Sequence, residues 1–373
     1  MTTTVSLDQA LEQIDHWIDP SGVAGAAVVV RSGGREIAKR CVGEAQPGIP
    51  VAPDTLFGLA SVTKPITASV VMMLVDEGRV GLDEPVVRFV PEFASAAPDG
   101  NPQWEAARRM ITVRQVLSHM SGLAEDLPPG RLRARDLPDL DTITDHLIAL
   151  PLQFEPGTSL LYSNAGYGLL GRLVNRVTGR DIWEVARDRL LAPMGLSGIV
   201  ARPSAELDDR IATVADAGSS GSPHESFNSR YWRDLAIPWG GLFGTASDIA
   251  AFAESFMLDN LNPVSTRARE LMTTDQAGGV SGGLAMLKLV WHPAHWGLGW
   301  EVKGGKRRHW TGEYTSPQTY CHWGSAGTLV WADPEIGVTV AVFGNRTTYS
   351  QWPFQPVARW ARLSNAIIAS RDR

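Results

Sequence analysis

Leu59-Ala60-Ser61-Val62-Thr63-Lys64-Pro65-Ile66-Thr67-Ala68 is the stretch on which the reading of this chain turns. The apolar run after it predicts a helix through Val75, ended by Gly78. With Ser61 at the helix start, Lys64 falls one turn later on the same face, a hydroxyl beside an amine. A serine hydroxyl attacks a carbonyl at neutral pH only when a neighbour takes its proton. A lysine can do so only when burial or nearby positive charge keeps its amine partly neutral. Free N–H groups at the helix start favour anionic character at the hydroxyl. Taken alone, Ser-x-x-Lys is met equally well by a capped helix with a solvated lysine.

Two further stretches supply what this pair lacks. In Ser159-Leu160-Leu161-Tyr162-Ser163-Asn164-Ala165-Gly166-Tyr167 a phenol and an amide sit two apart at a helix entry, where extended backbone turns both toward one cavity. A phenol near a lysine ammonium is expected to have a lowered pKa and to relay a proton to a leaving group. The structural alternative is Asn164 as a helix cap and Tyr162 in the core. Near the carboxyl end, Cys321-His322-Trp323-Gly324-Ser325-Ala326-Gly327-Thr328 is strand-like but broken by glycines, which marks a close approach of backbone or ligand or a β-bulge. Its edge can offer the Ser325 N–H opposite the Ser61 N–H as a pair of oxyanion donors.

Outward from these motifs, Leu7 to Trp17 has a helical apolar period, and Ala24 to Val30 and Arg35 to Val42 read as a hairpin around Gly33-Gly34. Helical patches separated by Pro and Gly fill the middle, with a strong period from Tyr167 to Leu191. Ala94 to Pro102 and Ala124 to Pro138 read as exposed loops, some bordering a cleft. Strand character returns in Gly327 to Ala332 and Gly337 to Phe343, a hairpin around Asp333-Pro334-Glu335, before a last helix from Pro356 to Ser370. The expected fold is therefore α/β (α+β), with an antiparallel sheet built from both chain ends, flanked by the terminal helices, and a helical insertion. Residues 1–80 and 220–373 form the sheet domain and 81–219 the mainly helical region, with the active site at their interface.

The 373 residues, 44% hydrophobic, suffice for a large core, and the net charge of −6 without a basic tract points away from nucleic acid and anionic membrane surfaces. Met1 to Asp8 lacks the basic and apolar regions of a signal peptide, and no apolar run reaches membrane-spanning length, so the chain reads as cytoplasmic. Cys41 and Cys321 read as buried thiols and His292 and His295 as ordinary loop histidines, so no metal or other cofactor is implied. Gly279-Val280-Ser281-Gly282-Gly283 matches the G-x-S-x-G nucleophile elbow. The polar Met272 to Gly278 before it is not a buried strand, however, so Ser281 is read as a decoy. Of the 13 tryptophans, Trp296, Trp300, Trp310 and Trp323 fall in segments that can line a cleft, where an apolar pocket would draw on them.

Ser-x-x-Lys, then Tyr-x-Asn, then His-x-Gly, in that order, resembles the serine β-lactamase and penicillin-recognising superfamily, above all its class C-like members and the family VIII carboxylesterases. Leu117 to Leu123, Gly240 to Asp248 and Gly297 to Trp300 resemble further family stretches, and the similarity runs from about Gly22 to Asn345. The resemblance implies a β-lactamase-like fold, Ser61 as the acylated nucleophile, Lys64 as its basic partner, and Tyr162 as general acid/base. It also implies Asn164 as a substrate and network ligand, and the amides of Ser61 and Ser325 as the oxyanion hole. Where the family usually has Lys-Thr/Ser-Gly to hold a lactam carboxylate, this chain has His322-Trp323-Gly324, with a weakened charge and no hydroxyl. The expectation is a carboxylesterase for uncharged esters of short to medium acyl chains, its partner a small-molecule ester or amide. The alternatives are a β-lactamase, D-amino acid peptidase or amidase, or acyltransferase of the same fold, and a non-catalytic sensor.

Overall fold

The computed structural model describes residues 6–95, 102–258, 262–350 and 355–371. Most of the loop expected from Ala94 to Pro102 and the first five residues lie outside them. Strands β1 (Gly25–Ser32), β2 (Arg35–Gln46), β3 (Ile49–Pro50), β4 (Glu301–Val302), β5 (Tyr320–Gly324), β6 (Thr328–Asp333) and β7 (Val338–Gly344) form one sheet. Its order is β4-β5-β6-β7-β1-β2-β3 and every neighbour is antiparallel. The first strand of the chain thus pairs with the last, Ala26 opposite Gly344, and the sheet is closed by both chain ends, as expected. The β1–β2 turn places both Gly33 (φ 59) and Gly34 (φ 78) in the left-handed region, the geometry a tight right-twisted hairpin requires.

Both faces of this sheet are covered, so its central strands read as apolar runs and not as alternating ones. Ala27, Val29, Val330, Ala332, Ala341 and Phe343 face the large core that also holds helix α2 (Lys64–Asp76), helix α3 (Asn164–Thr178) and helix α4 (Ala246–Glu254). Ala26, Val28, Val30, Leu329, Trp331 and Val340 point the other way, onto helix α1 (Leu7–Leu11) and helix α5 (Gln355–Ala369). The amino-terminal helix is shorter than its periodicity suggests, because the chain tightens into a 3-10 turn over Glu12–Trp17. The long period after Tyr167 is likewise divided: Gly179 ends α3 with φ 71, and Asp181 caps a separate turn, Ile182–Ala186.

Helix α2 is buried along nearly its whole length, from Lys64 to Leu74. An all-round apolar helix belongs inside the molecule. A 3-10 turn, Ala60–Thr63, leads into it and lies against β5. There Gly324 has no side chain for a steric reason: a Cβ would stand 2.2 Å from the Leu59 carbonyl oxygen. Thr328 Oγ1 donates to that oxygen at 3.0 Å. The turn carrying Ser61 is thereby fastened to the strand carrying Ser325.

Candidate active site

Lys64 is fully buried, with Nζ 3.2 Å from Ser61 Oγ, 2.7 Å from Asn164 Oδ1 and 2.9 Å from the Trp239 carbonyl oxygen. Burial pushes its pKa well below the ordinary 10.5, against the opposing charges of Asp126 and Glu125. A neutral amine has two hydrogens and one lone pair. Asn164 Oδ1 and the Trp239 carbonyl oxygen can only accept, so they take both hydrogens. The lone pair is left facing the Ser61 hydroxyl. The orientation of Asn164 is itself fixed, because its Nδ2 donates to Asp126 Oδ2 at 3.0 Å. Asn164 does not cap its helix; Ser163 does, its Oγ accepting from the Gly166 N–H at 3.0 Å.

Tyr162 presents its ring to the same amine, with Lys64 Nζ 4.5 Å from the ring centroid. Its hydroxyl is buried and lacks a hydrogen bond of regular geometry, although it lies near enough to Ser61 for that hydroxyl to draw its pKa down. Burial outweighs this and holds the phenol well above its ordinary 10.0. The expected direction is therefore reversed: desolvation raises the phenol and lowers the lysine, which favours the pair as phenol and amine.

His119 is the residue that motif reasoning left without a role. Its φ of 60 is unusual for a side chain with a Cβ. Its Nδ1 accepts from the Ser163 N–H at 3.0 Å, its carbonyl oxygen accepts from the Leu161 N–H at 3.0 Å, and its ring lies 4.6 Å from that of Tyr162. It clamps the Tyr162 segment on both sides. The signal was the histidine within Leu117 to Leu123. Ala60, just before the nucleophile, is also left-handed, with φ 46. Such strain costs about 1–3 kcal/mol and persists only where the surroundings enforce it.

Ser61, Tyr162, Asn164, Trp323 and Ser325 line one cavity of about 450 Å³. His322, expected at the substrate, is absent from its wall. Strand alternation turns the ring inward, 6.0 Å from those of Tyr162 and Trp296, with Nδ1 donating to the Trp323 carbonyl oxygen at 2.9 Å. Burial pushes its pKa down to about 3, so it is neutral at ordinary pH. Trp296, Trp300 and Trp310 are also core residues, and Trp232 and Trp239 line the cavity in their place.

Ser281 lies away from this cavity, its Oγ 2.8 Å from His292 Nδ1 at an exposed site. His295 pairs with Asp275 at 3.1 Å. Cys41 is only half-buried, while Cys321 is fully buried and burial raises its thiol pKa, which makes it inert. Glu301, His309 and Cys321 bring ligand-type atoms within 4.8 Å of one another. The positive charge of that cluster comes from Lys306, whose Nζ donates to Glu301 Oε1 at 2.7 Å.

Residues 7–361 match the Beta-lactamase family model. The chain is 30% identical over 308 residues to penicillin-binding protein 4 of Amycolatopsis lactamdurans, covering 80% of this chain and 74% of that one. It is 37% identical over 292 residues to esterase EstB of Burkholderia gladioli, covering 68% and 72%. Among solved structures, a family VIII carboxylesterase superimposes with TM-score 0.77 at 23% identity, over 97% of this chain and 96% of that one. The fold that buries Lys64 thus has relatives along nearly the whole chain: this protein belongs to the beta-lactamase family and is a serine hydrolase related to penicillin-binding proteins.

Proposed function

We propose that the protein is a carboxylesterase that cleaves small-molecule esters of short to medium acyl chains through an acyl-enzyme on Ser61. The observation that carries this reading is the Lys64 amine, whose two hydrogens are committed to Asn164 Oδ1 and the Trp239 carbonyl oxygen, at 2.7 and 2.9 Å, so that its lone pair faces Ser61 Oγ. Lys64 takes the Ser61 proton as Oγ bonds to the ester carbonyl carbon, and the carbonyl electron pair moves onto oxygen between the amides of Ser61 and Ser325. The tetrahedral intermediate collapses as Tyr162 gives its proton to the leaving alkoxide. The Lys64 ammonium then returns a proton to Tyr162, and an alcohol departs. Water repeats the sequence at the acyl carbon, releasing the acid and restoring Ser61. A phenol whose pKa is raised suits an acid that must keep its proton until the leaving group needs it.

Ester over lactam is favoured by the third motif. His322 is buried and neutral, and none of the described residues lining the cavity is a lysine, arginine or histidine, so nothing there matches a lactam carboxylate. The esterase relative agrees with this choice. Ser61→Ala is expected to abolish turnover of para-nitrophenyl butyrate and Ser281→Ala to leave it intact. Retained activity in Ser61→Ala, or a chromogenic cephalosporin turned over faster than the ester, would overturn the assignment.

A further inference from the structure

The wall of the Ser61 cavity combines two chemistries. Three of its residues are acidic: Glu125, Asp126 and Asp216. Asp216 is paired with Arg346 at 3.1 Å, so its charge is met, but Glu125 and Asp126 are adjacent on one loop and are approached by hydrogen-bond donors without a full charge. Glu125 Oε2 accepts from the Met286 N–H at 2.9 Å and Asp126 Oδ2 from Asn164 Nδ2 at 3.0 Å. Beside them lies the buried Lys64, whose pKa desolvation pushes well below that of an ordinary lysine. Six of the eighteen other described residues lining the wall are aromatic, Tyr162 among them. Phe227, Trp232, Trp239, Trp323 and Tyr349 contribute rings to it. The Tyr162 hydroxyl, buried and without a regular hydrogen bond, lines the same space and marks the point where the reacting bond must lie.

Aromatic faces and uncompensated carboxylates share one preference. A ring face attracts a cation that has shed its water, and more so in a partly dry cavity. Carboxylates in such a place add Coulombic attraction that water screens poorly. Both repel a carboxylate-bearing substrate, and neither offers a neutral alkyl ester a comparable electrostatic attraction.

We propose that the Ser61 cavity selects esters that carry an alkylammonium group, as in a choline-type or amino-alcohol ester, with the cation held among the aromatic rings and the Glu125–Asp126 pair while Ser61 attacks the ester carbonyl. The chemistry is the hydrolysis described above: water adds across the acyl–oxygen bond, the acid leaves from Ser61 and the cationic alcohol leaves as such. This rests on the esterase reading and names its substrate class.

The test compares butyrylthiocholine with neohexyl thiobutyrate, which has the same shape with a quaternary carbon in place of nitrogen, by the rate of thiol release. The wild-type protein is expected to show a kcat/KM at least about tenfold higher for the cationic ester. That ratio should fall toward one in Asp126→Asn and shrink between ~50 mM and ~500 mM salt. Because the readout is a ratio within each variant, partial loss of folded protein does not affect it. A wild-type ratio of one or less, or no turnover of the cationic ester, overturns the proposal. Persistence of ester turnover in Ser61→Ala would instead strike at the esterase reading.

Discussion

In the proposed mechanism Lys64 Nζ is the atom on which the chemistry depends, and the lowering of its pKa has a measurable sign. Activity needs the unprotonated amine, and burial lowers its pKa, so the rising limb of the kcat/KM profile is expected well below the 10.5 of an ordinary lysine. Asp126 and Glu125 oppose that shift, because each carboxylate stabilises the ammonium. Asp126→Asn is therefore expected to move the limb to lower pH, and an unchanged or raised limb would contradict the assignment. Lys64→Arg, which cannot deprotonate, should cost about 100- to 10,000-fold in kcat/KM at every pH. No inflection near pH 6.5 is expected from His322, whose proton is gone above about 3.

At the scale of elements, the site is a junction between a turn and a strand, and Gly324 is the joint. A methyl there would lie 2.2 Å from the Leu59 carbonyl oxygen, a backbone atom, and 2.4 Å from the Thr328 side-chain Oγ1, so the strand must retreat from the turn that carries Ser61. Gly324→Ala is expected to destabilise by about 1–3 kcal/mol in a denaturant titration and to lower kcat more than it raises KM, because the Ser325 amide moves relative to Ser61. A fall in stability with kcat unchanged would mean that this amide does not take part. The motifs of Ser61, Tyr162 and Ser325 were legible because each is contiguous and its chemistry is carried by residue type. The inward turn of His322 was not, since a motif names a position and only strand alternation says which face it occupies. The direction of the Tyr162 shift was missed for a related reason: desolvation depends on neighbours remote in sequence, such as Trp296 and His119. Glu125 and Asp126 lay in a stretch read as loop, and nothing local distinguishes a carboxylate on a cavity wall from one in water.

For the whole molecule, the sheet assembled from both chain ends was readable from hairpin signals alone, because turn chemistry and β-branched runs are local. The support beneath its active edge was not. Glu301 on β4 sits opposite Cys321 on β5, and its carboxylate receives Lys306, His309 Nε2 at 3.1 Å and Trp310 Nε1 at 3.1 Å, all buried. Burial alone would raise the pKa of Glu301, but Lys306 and His309 outweigh it and hold the value at about 2. A depressed carboxyl contributes stability present above its unfolded value and lost as pH falls through the folded one. This part of the stability should therefore disappear between pH 4.5 and about 2. Glu301→Gln leaves the Lys306 charge unmatched and is expected to cost about 3–5 kcal/mol at neutral pH, while flattening the acid limb of the stability curve. A variant as stable as the parent would show that the cluster is dispensable.

The pairing of β1 with β7 has a consequence for the making of the protein. A ribosome delivers Ser61 early and Ser325 late, and the strand that locks the sheet, ending at Gly344, later still. Non-local pairing of this kind waits for its partner. On the proposed mechanism a nascent chain thus carries the serine without the arrangement that arms it until β7 has been made. Ribosome-stalled chains of increasing length, probed with a fluorophosphonate, should label at Ser61 only after Gly344 has emerged. Labelling of shorter chains would show that the helix and its lysine are sufficient by themselves.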